Sequence, residues 1–119
     1  MNKYTCKQLF YKKVKKMQII FIQIPLHKSM KDEWESFVKS PNGLEFTSKQ
    51  KGFISAEYGY AIDINDKLTW NCWEKWESRE DFERYHAERN ESGFLAELDK
   101  LIERNAPGPV EIMDYEVLN

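Results

Sequence analysis

Glu74, Tyr85 and His86 are the residues whose types could move a proton or orient a reacting oxygen. Trp34, Trp70, Cys72 and Trp76 could enclose a substrate beside them. Side chains alternate across a strand, so over the strand-like stretch 68–76 Trp70, Cys72, Glu74 and Trp76 share one face. Thr69, Asn71, Trp73 and Lys75 share the other. Trp76 adjoins a helix start, which puts its face under the helices. A carboxylate in such a layer is desolvated, and its pKa should rise. That is the profile of a general base. Glu74 could equally pair with a Lys, Arg or Tyr and be structural.

Tyr85 shares a helical stripe with Phe82, so it should point inward. Its hydroxyl then either binds a ligand oxygen or is satisfied within the core. His86 lies one residue on and faces the flank, as a donor to ligand or a surface side chain. Cys72 has no histidine placed near it and reads as a small buried hydrophobe. His27 reads as a loop residue. No second ligand stands at a metal-binding spacing from either histidine, and no nucleophile elbow, phosphate loop or dinucleotide fingerprint occurs. The expectation is therefore no metal and no cofactor.

The elements that would position these groups follow from periodicity. Residues 17–25, MQIIFIQIP, are rich in β-branched and aromatic types with both faces apolar. Helices in so short a chain can cover one face of a sheet, and the other needs a partner subunit. Ser29 is placed to cap a helix carrying Trp34, Phe37 and Val38. Residues 40–43, SPNG, break it, and 44–51 resume as a short helix stopped by Gly52. Residues 53–61 form a second strand with Ile54, Ala56, Tyr58 and Tyr60 on one side. Residues 63–66, DIND, turn the chain into the third strand, 68–76. Ser78 and Asp81 have capping-box spacing. The helix they open breaks over polar residues 87–93 and resumes on Phe94, Leu95, Leu98, Leu101 and Ile102. After Pro107-Gly108-Pro109, residues 110–118 read as the last strand. The order β-α-β-β-α-β is a split βαβ, an α+β ferredoxin-like domain with a four-stranded antiparallel sheet and helices on one face.

Size and charge bound the function. A chain of 119 residues with 41% hydrophobic and 14% aromatic residues fits one domain with an aromatic-rich core. Six lysines and no acid in residues 1–16 leave −8 on the remainder, given a net charge of −2. Residues 1–16 read as a dispensable basic tail and 17–119 as the domain. The acidic body argues against nucleic acid as the main partner. Cys6 and Cys72 make no disulfide framework and suit a reducing compartment. No apolar run reaches the length of a membrane span. The chain is expected to be cytoplasmic, with no membrane partner.

The stretch Gly52-Phe53-Ile54-Ser55-Ala56-Glu57, followed by Glu74-Lys75-Trp76-Glu77-Ser78 and its capped helix, resembles the antibiotic biosynthesis monooxygenase (ABM) domain family. Members carry a glycine before the second strand and an E-x-W-x-S motif opening the second long helix. The resemblance spans residues 17–118. It implies a ferredoxin-like unit that dimerises sheet to sheet as a dimeric α/β barrel, with a pocket between sheet and helices. It also implies one of several activities, among them cofactor-free oxidation of phenols and quinols, small-molecule isomerisation and haem degradation. Glu74 and Trp76 match the motif, and Tyr85 falls near the first of two family histidines. Asn90 stands nearest the second, and residues 94–98, FLAEL, lack the haem ligand of the haem-degrading branch. The reading is a cofactor-independent monooxygenase of a small aromatic, hydroquinone- or polyphenol-like, acting as a homodimer. The alternatives are a non-catalytic small-molecule-binding module and a structural homodimer.

Overall fold

The computed structural model describes residues 16–105 and 107–118. The tail assigned to residues 1–16 lies outside them except for Lys16, which pairs with Glu116 at 2.8 Å. Strand β1 (Gln18–Leu26) leads through a 3-10 turn (Lys28–Met30) into α1 (Lys31–Val38) and the short α2 (Leu44–Ser48). Strands β2 (Phe53–Ile62) and β3 (Leu68–Trp76) follow as a hairpin. Helices α3 (Arg79–Glu91) and α4 (Phe94–Asn105) then lead to β4 (Glu111–Glu116). The sheet order is β2-β3-β1-β4, with every neighbouring pair antiparallel. This is the ferredoxin-like βαββαβ arrangement.

Cross-strand partners share a face. Ile20, Ile22 and Ile24 lie opposite Glu74, Cys72 and Trp70, and this is the face under the helices. Its buried core joins Ile24, Leu26, Trp34, Val38, Leu68, Trp70 and Cys72. Ile19, Phe21 and Gln23 line the opposite face across from Lys75, Trp73 and Asn71. There Phe21 packs on Trp73 with ring centroids 5.2 Å apart, and Gln23 donates to Asn71 Oδ1 at 2.8 Å. Trp73, Met113 and Tyr115 stay about half exposed, at 47%, 47% and 49%.

Local chemistry explains most boundaries. Ser78 Oγ accepts from the Asp81 backbone N–H at 3.2 Å and donates to Asp81 Oδ2 at 2.9 Å, so the expected cap forms. Asp63 Oδ1 accepts from the backbone N–H groups of Asn65 and Lys67 at 2.8 and 2.9 Å, closing the β2–β3 turn. Gly93, at φ +83°, separates α3 from α4. Gly52 stands at φ +86°, and a Cβ there would come 2.3 Å from the Asp81 carboxyl. The glycine before β2 is thus required twice, by its backbone angle and by the capping aspartate above it.

Two local expectations are corrected. Ser29 lies inside the 3-10 turn, and α1 begins from Met30 with no side-chain cap. Ile54 does not continue the inward row of β2. A register irregularity puts Phe53 opposite Trp76 and Ser55 opposite Lys75, leaving Ile54 between them and 43% exposed.

Candidate functional site

Between sheet and helices lies a cavity of about 660 Å³. Its floor is Ile20, Ile22, Ile24, Trp70 and Glu74, and α1, α2, α3, α4 and β4 supply its walls and mouth. The floor is apolar because one face of β1 is entirely isoleucine at these positions. The size falls within the range of small-molecule sites, roughly 300–1,000 Å³.

Glu74 is the acidic group in that floor. It is 5% exposed and flanked by Ile20 on one side and Ala56 on the other, neither of which offers a side-chain hydrogen bond. Its Oε1 accepts from Trp76 Nε1 at 3.2 Å. No cation lies within ion-pair distance among the described residues. Burial raises the Glu74 pKa above the ordinary carboxylate value, and the Trp76 donor and the Arg89 charge oppose the rise. The carboxylate therefore holds a proton more readily than a surface glutamate, and when ionised is a stronger base.

Trp34 and Trp70 meet edge to face with centroids 5.3 Å apart, and both line the cavity. Their indole N–H groups are buried without a hydrogen-bond partner among the described residues. Trp76 and Cys72 do not line it. Trp76 is fully buried among Phe53, Phe82 and Tyr85, with centroids 5.6, 5.8 and 5.0 Å away. Its contribution is the hydrogen bond that holds Glu74. Cys72 is fully buried opposite Ile22 and Tyr58, and burial, with the Glu74 charge, pushes its thiol pKa well up. A thiol so held is unreactive.

Tyr85 does point inward and lines the cavity, but its hydroxyl is already engaged. Thr47 Oγ1 lies 2.8 Å from it, and Arg89 Nε donates to it at 3.0 Å. Thr47 Oγ1 also lies 3.4 Å from the Gly43 carbonyl, and either hydroxyl can donate in the Thr47–Tyr85 pair. The tyrosine thus ties α3 to α2. Burial raises its pKa, with the Glu74 charge adding and the Thr47 and Arg89 hydrogen bonds opposing, and the phenol stays protonated at neutral pH. His86 is exposed at the mouth, its ring 5.8 Å from Phe82.

The sequence reading passed over Arg89, which is 4% exposed and lines the cavity. The signal was present, because Phe82, Tyr85 and Arg89 follow one helical stripe, and an arginine on an apolar stripe is buried with the rest. Among the described residues no group of three or more His, Cys, Asp and Glu could hold a metal ion. No helix there is long and apolar enough to cross a membrane.

No protein-family profile and no curated protein matches the chain. Solved structures do match in fold. A Bacillus cereus protein provisionally assigned as an antibiotic biosynthesis monooxygenase superposes with TM-score 0.64 at 15% identity, over 87% of this chain and 95% of that one. A conserved protein from Methanosarcina mazei gives 0.62 at 18% identity, over 88% and 96%. The monooxygenase from the gene ActVA-Orf6 of Streptomyces coelicolor, in complex with the ligand Nanaomycin D, gives 0.59 at 16% identity, over 86% and 88%. The chain therefore has the ferredoxin-like fold of ABM structures across nearly its whole described length.

Proposed function

We propose that this chain is a cofactor-independent monooxygenase of a small aromatic, a hydroquinone or polyphenol, working as a sheet-to-sheet homodimer. The observation that carries the reading is Glu74, a buried carboxylate of raised basicity in the floor of an apolar cavity walled by Trp34 and Trp70. In the reaction Glu74 takes the proton of a phenolic hydroxyl. The resulting anion gives electrons to dioxygen, and a C–O bond forms at an electron-rich ring carbon bearing hydrogen. The peroxide anion takes back the proton held by Glu74, and the hydroperoxide so formed loses water and leaves a carbonyl, so one oxygen atom enters the product and the other leaves as water. The apolar walls keep bulk water from quenching the anion. Trp76 orients the base, Tyr85 braces the wall opposite, and His86 stands at the mouth to meet the leaving or entering substrate. The fold shared with a monooxygenase that holds a small-molecule ligand supports the reading.

A second reading, a binding module without turnover, is favoured by the Trp76–Glu74 hydrogen bond, which gives the carboxylate a structural role as well. Oxygen uptake with a panel of hydroquinones and polyphenols, without added cofactor, separates the two. Uptake that disappears in Glu74→Gln supports the oxygenase. Thermal stabilisation by the same compounds without uptake supports the binding module.

A further inference from the structure

We infer that the cavity takes its ligand as an anion, a small aromatic bearing a negatively charged oxygen, and that this oxygen docks on the unengaged Nη1 of Arg89. The inference deepens the reading above by giving the ligand a second oxygen, already ionised, besides the phenol whose proton Glu74 takes, and it rests on the cavity being a ligand site.

The Arg89 guanidinium lies 3.7 Å from the centroid of the Phe94 ring and 4.1 Å from that of Phe46, with Tyr85 at 5.4 Å. These rings fix its position and cover its faces. Nε donates to the Tyr85 hydroxyl at 3.0 Å. Nη2 donates to the Gly43 carbonyl at 3.1 Å and to Thr47 Oγ1 at 3.2 Å. Every one of these acceptors is neutral. Nη1 meets no hydrogen-bond acceptor among the described residues, and no carboxylate there lies within ion-pair distance of the guanidinium. Glu74 acts on it only through space.

A buried charge without a counter-charge is costly, and neutral acceptors and aromatic faces offset the cost only in part. Bracing α3 against α2 requires the donors on Nε and Nη2. It requires neither the positive charge nor Nη1. What remains, a fixed cation with one free arm on an apolar cavity wall, is a receptor for a planar anionic oxygen. Glu83, Asp99 and Asp114 at the mouth are exposed, so solvent and salt screen their repulsion.

The test is calorimetric binding to the full-length protein of two pairs of probes matched in shape and differing in charge. 2-Naphthoate is compared with neutral 2-naphthamide, which tests a carboxylate, and 4-nitrophenolate with 4-nitroaniline, which tests a phenolate. The expected result is at least about tenfold tighter binding of one anion than of its neutral counterpart. Arg89→Gln should bring that pair to within about threefold while leaving the neutral probe's affinity in place. Arg89→Lys, which keeps the charge and loses the fork, should retain the preference, and serves where the glutamine variant does not fold. Equal binding within both pairs, no binding of any probe, or a preference that survives in folded Arg89→Gln would overturn the inference. Oxygen uptake is read separately. Charge preference without uptake sustains the anion site and removes the oxygenase, and uptake without charge preference does the reverse.

Discussion

Trp76 donates its indole N–H to Oε1 of Glu74 across 3.2 Å, two residues away on the same face of β3. The tryptophan is fully buried and packed between Phe53, Phe82 and Tyr85. It therefore holds one carboxylate oxygen and leaves Oε2 without a hydrogen-bond donor among the described residues. A base needs that division, one oxygen fixed and the other available.

Glu74→Gln should keep this hydrogen bond through its amide oxygen and abolish oxygen uptake. It should also change how stability depends on pH. The folded-state pKa of Glu74 is raised above the ordinary value of 4.5. Below that value the group is protonated in both folded and unfolded chains and costs nothing. As pH rises through the folded pKa, ionisation inside the cavity opposes folding, so wild type loses stability that the glutamine variant keeps. The two should unfold alike near pH 4, and at pH 8 the variant should be the more stable by roughly 1–3 kcal/mol. Urea titrations at both pH values read the difference. A wild type that gains on the variant as pH rises would show that Glu74 is paired in the native state.

Tyr85→Phe keeps the ring that packs against Trp76 and deletes the oxygen shared by Thr47 and Arg89. It leaves a buried donor on Arg89 without its acceptor. A loss of about 1–3 kcal/mol is expected in denaturant unfolding. An unchanged midpoint would mean that water replaces the hydroxyl and that the α2–α3 tie carries little.

Gly52→Ala should destabilise by roughly 2 kcal/mol or more, because the left-handed backbone angle and the approach to Asp81 penalise it together. Gly59, where an added Cβ meets nothing within 4 Å, is the control, and alanine there should have a small effect on the melting temperature.

What could be read from the chain divides along the range of the interactions. The β3 alternation and the Ser78 cap were legible because each depends on residues a few positions apart. The placement of Glu74 under the helices followed from the same alternation. The kink at Ile54 was not legible, because it exists only in the register between β2 and β3. Trp76 read as a cavity wall, since alternation gives the face but not which aromatic neighbours will enclose it. Arg89 shares the stripe of Phe82 and Tyr85, which places it inward, but its acceptor at Gly43 lies 46 residues away and only the fold brings the two together.

Trp73 provides the remaining test, that of assembly. It lies on the sheet face away from the helices, packed against Phe21 and 47% exposed. Met113 lies across from Phe21 and Tyr115 across from Ile19 on the same face. Three large side chains left in water beside the half-buried Phe21 and Ile19 are an apolar patch that a second copy would cover. The protein should sediment as a dimer at micromolar concentration. Trp73→Glu would place a charge against its symmetry mate's apolar surface and should give a folded monomer, with far-UV circular dichroism unchanged. A wild-type monomer would remove the dimer from the proposed function. A Trp73→Glu variant that remains dimeric would move the interface off this face, since a carboxylate cannot be buried at the centre of such a contact without a partner.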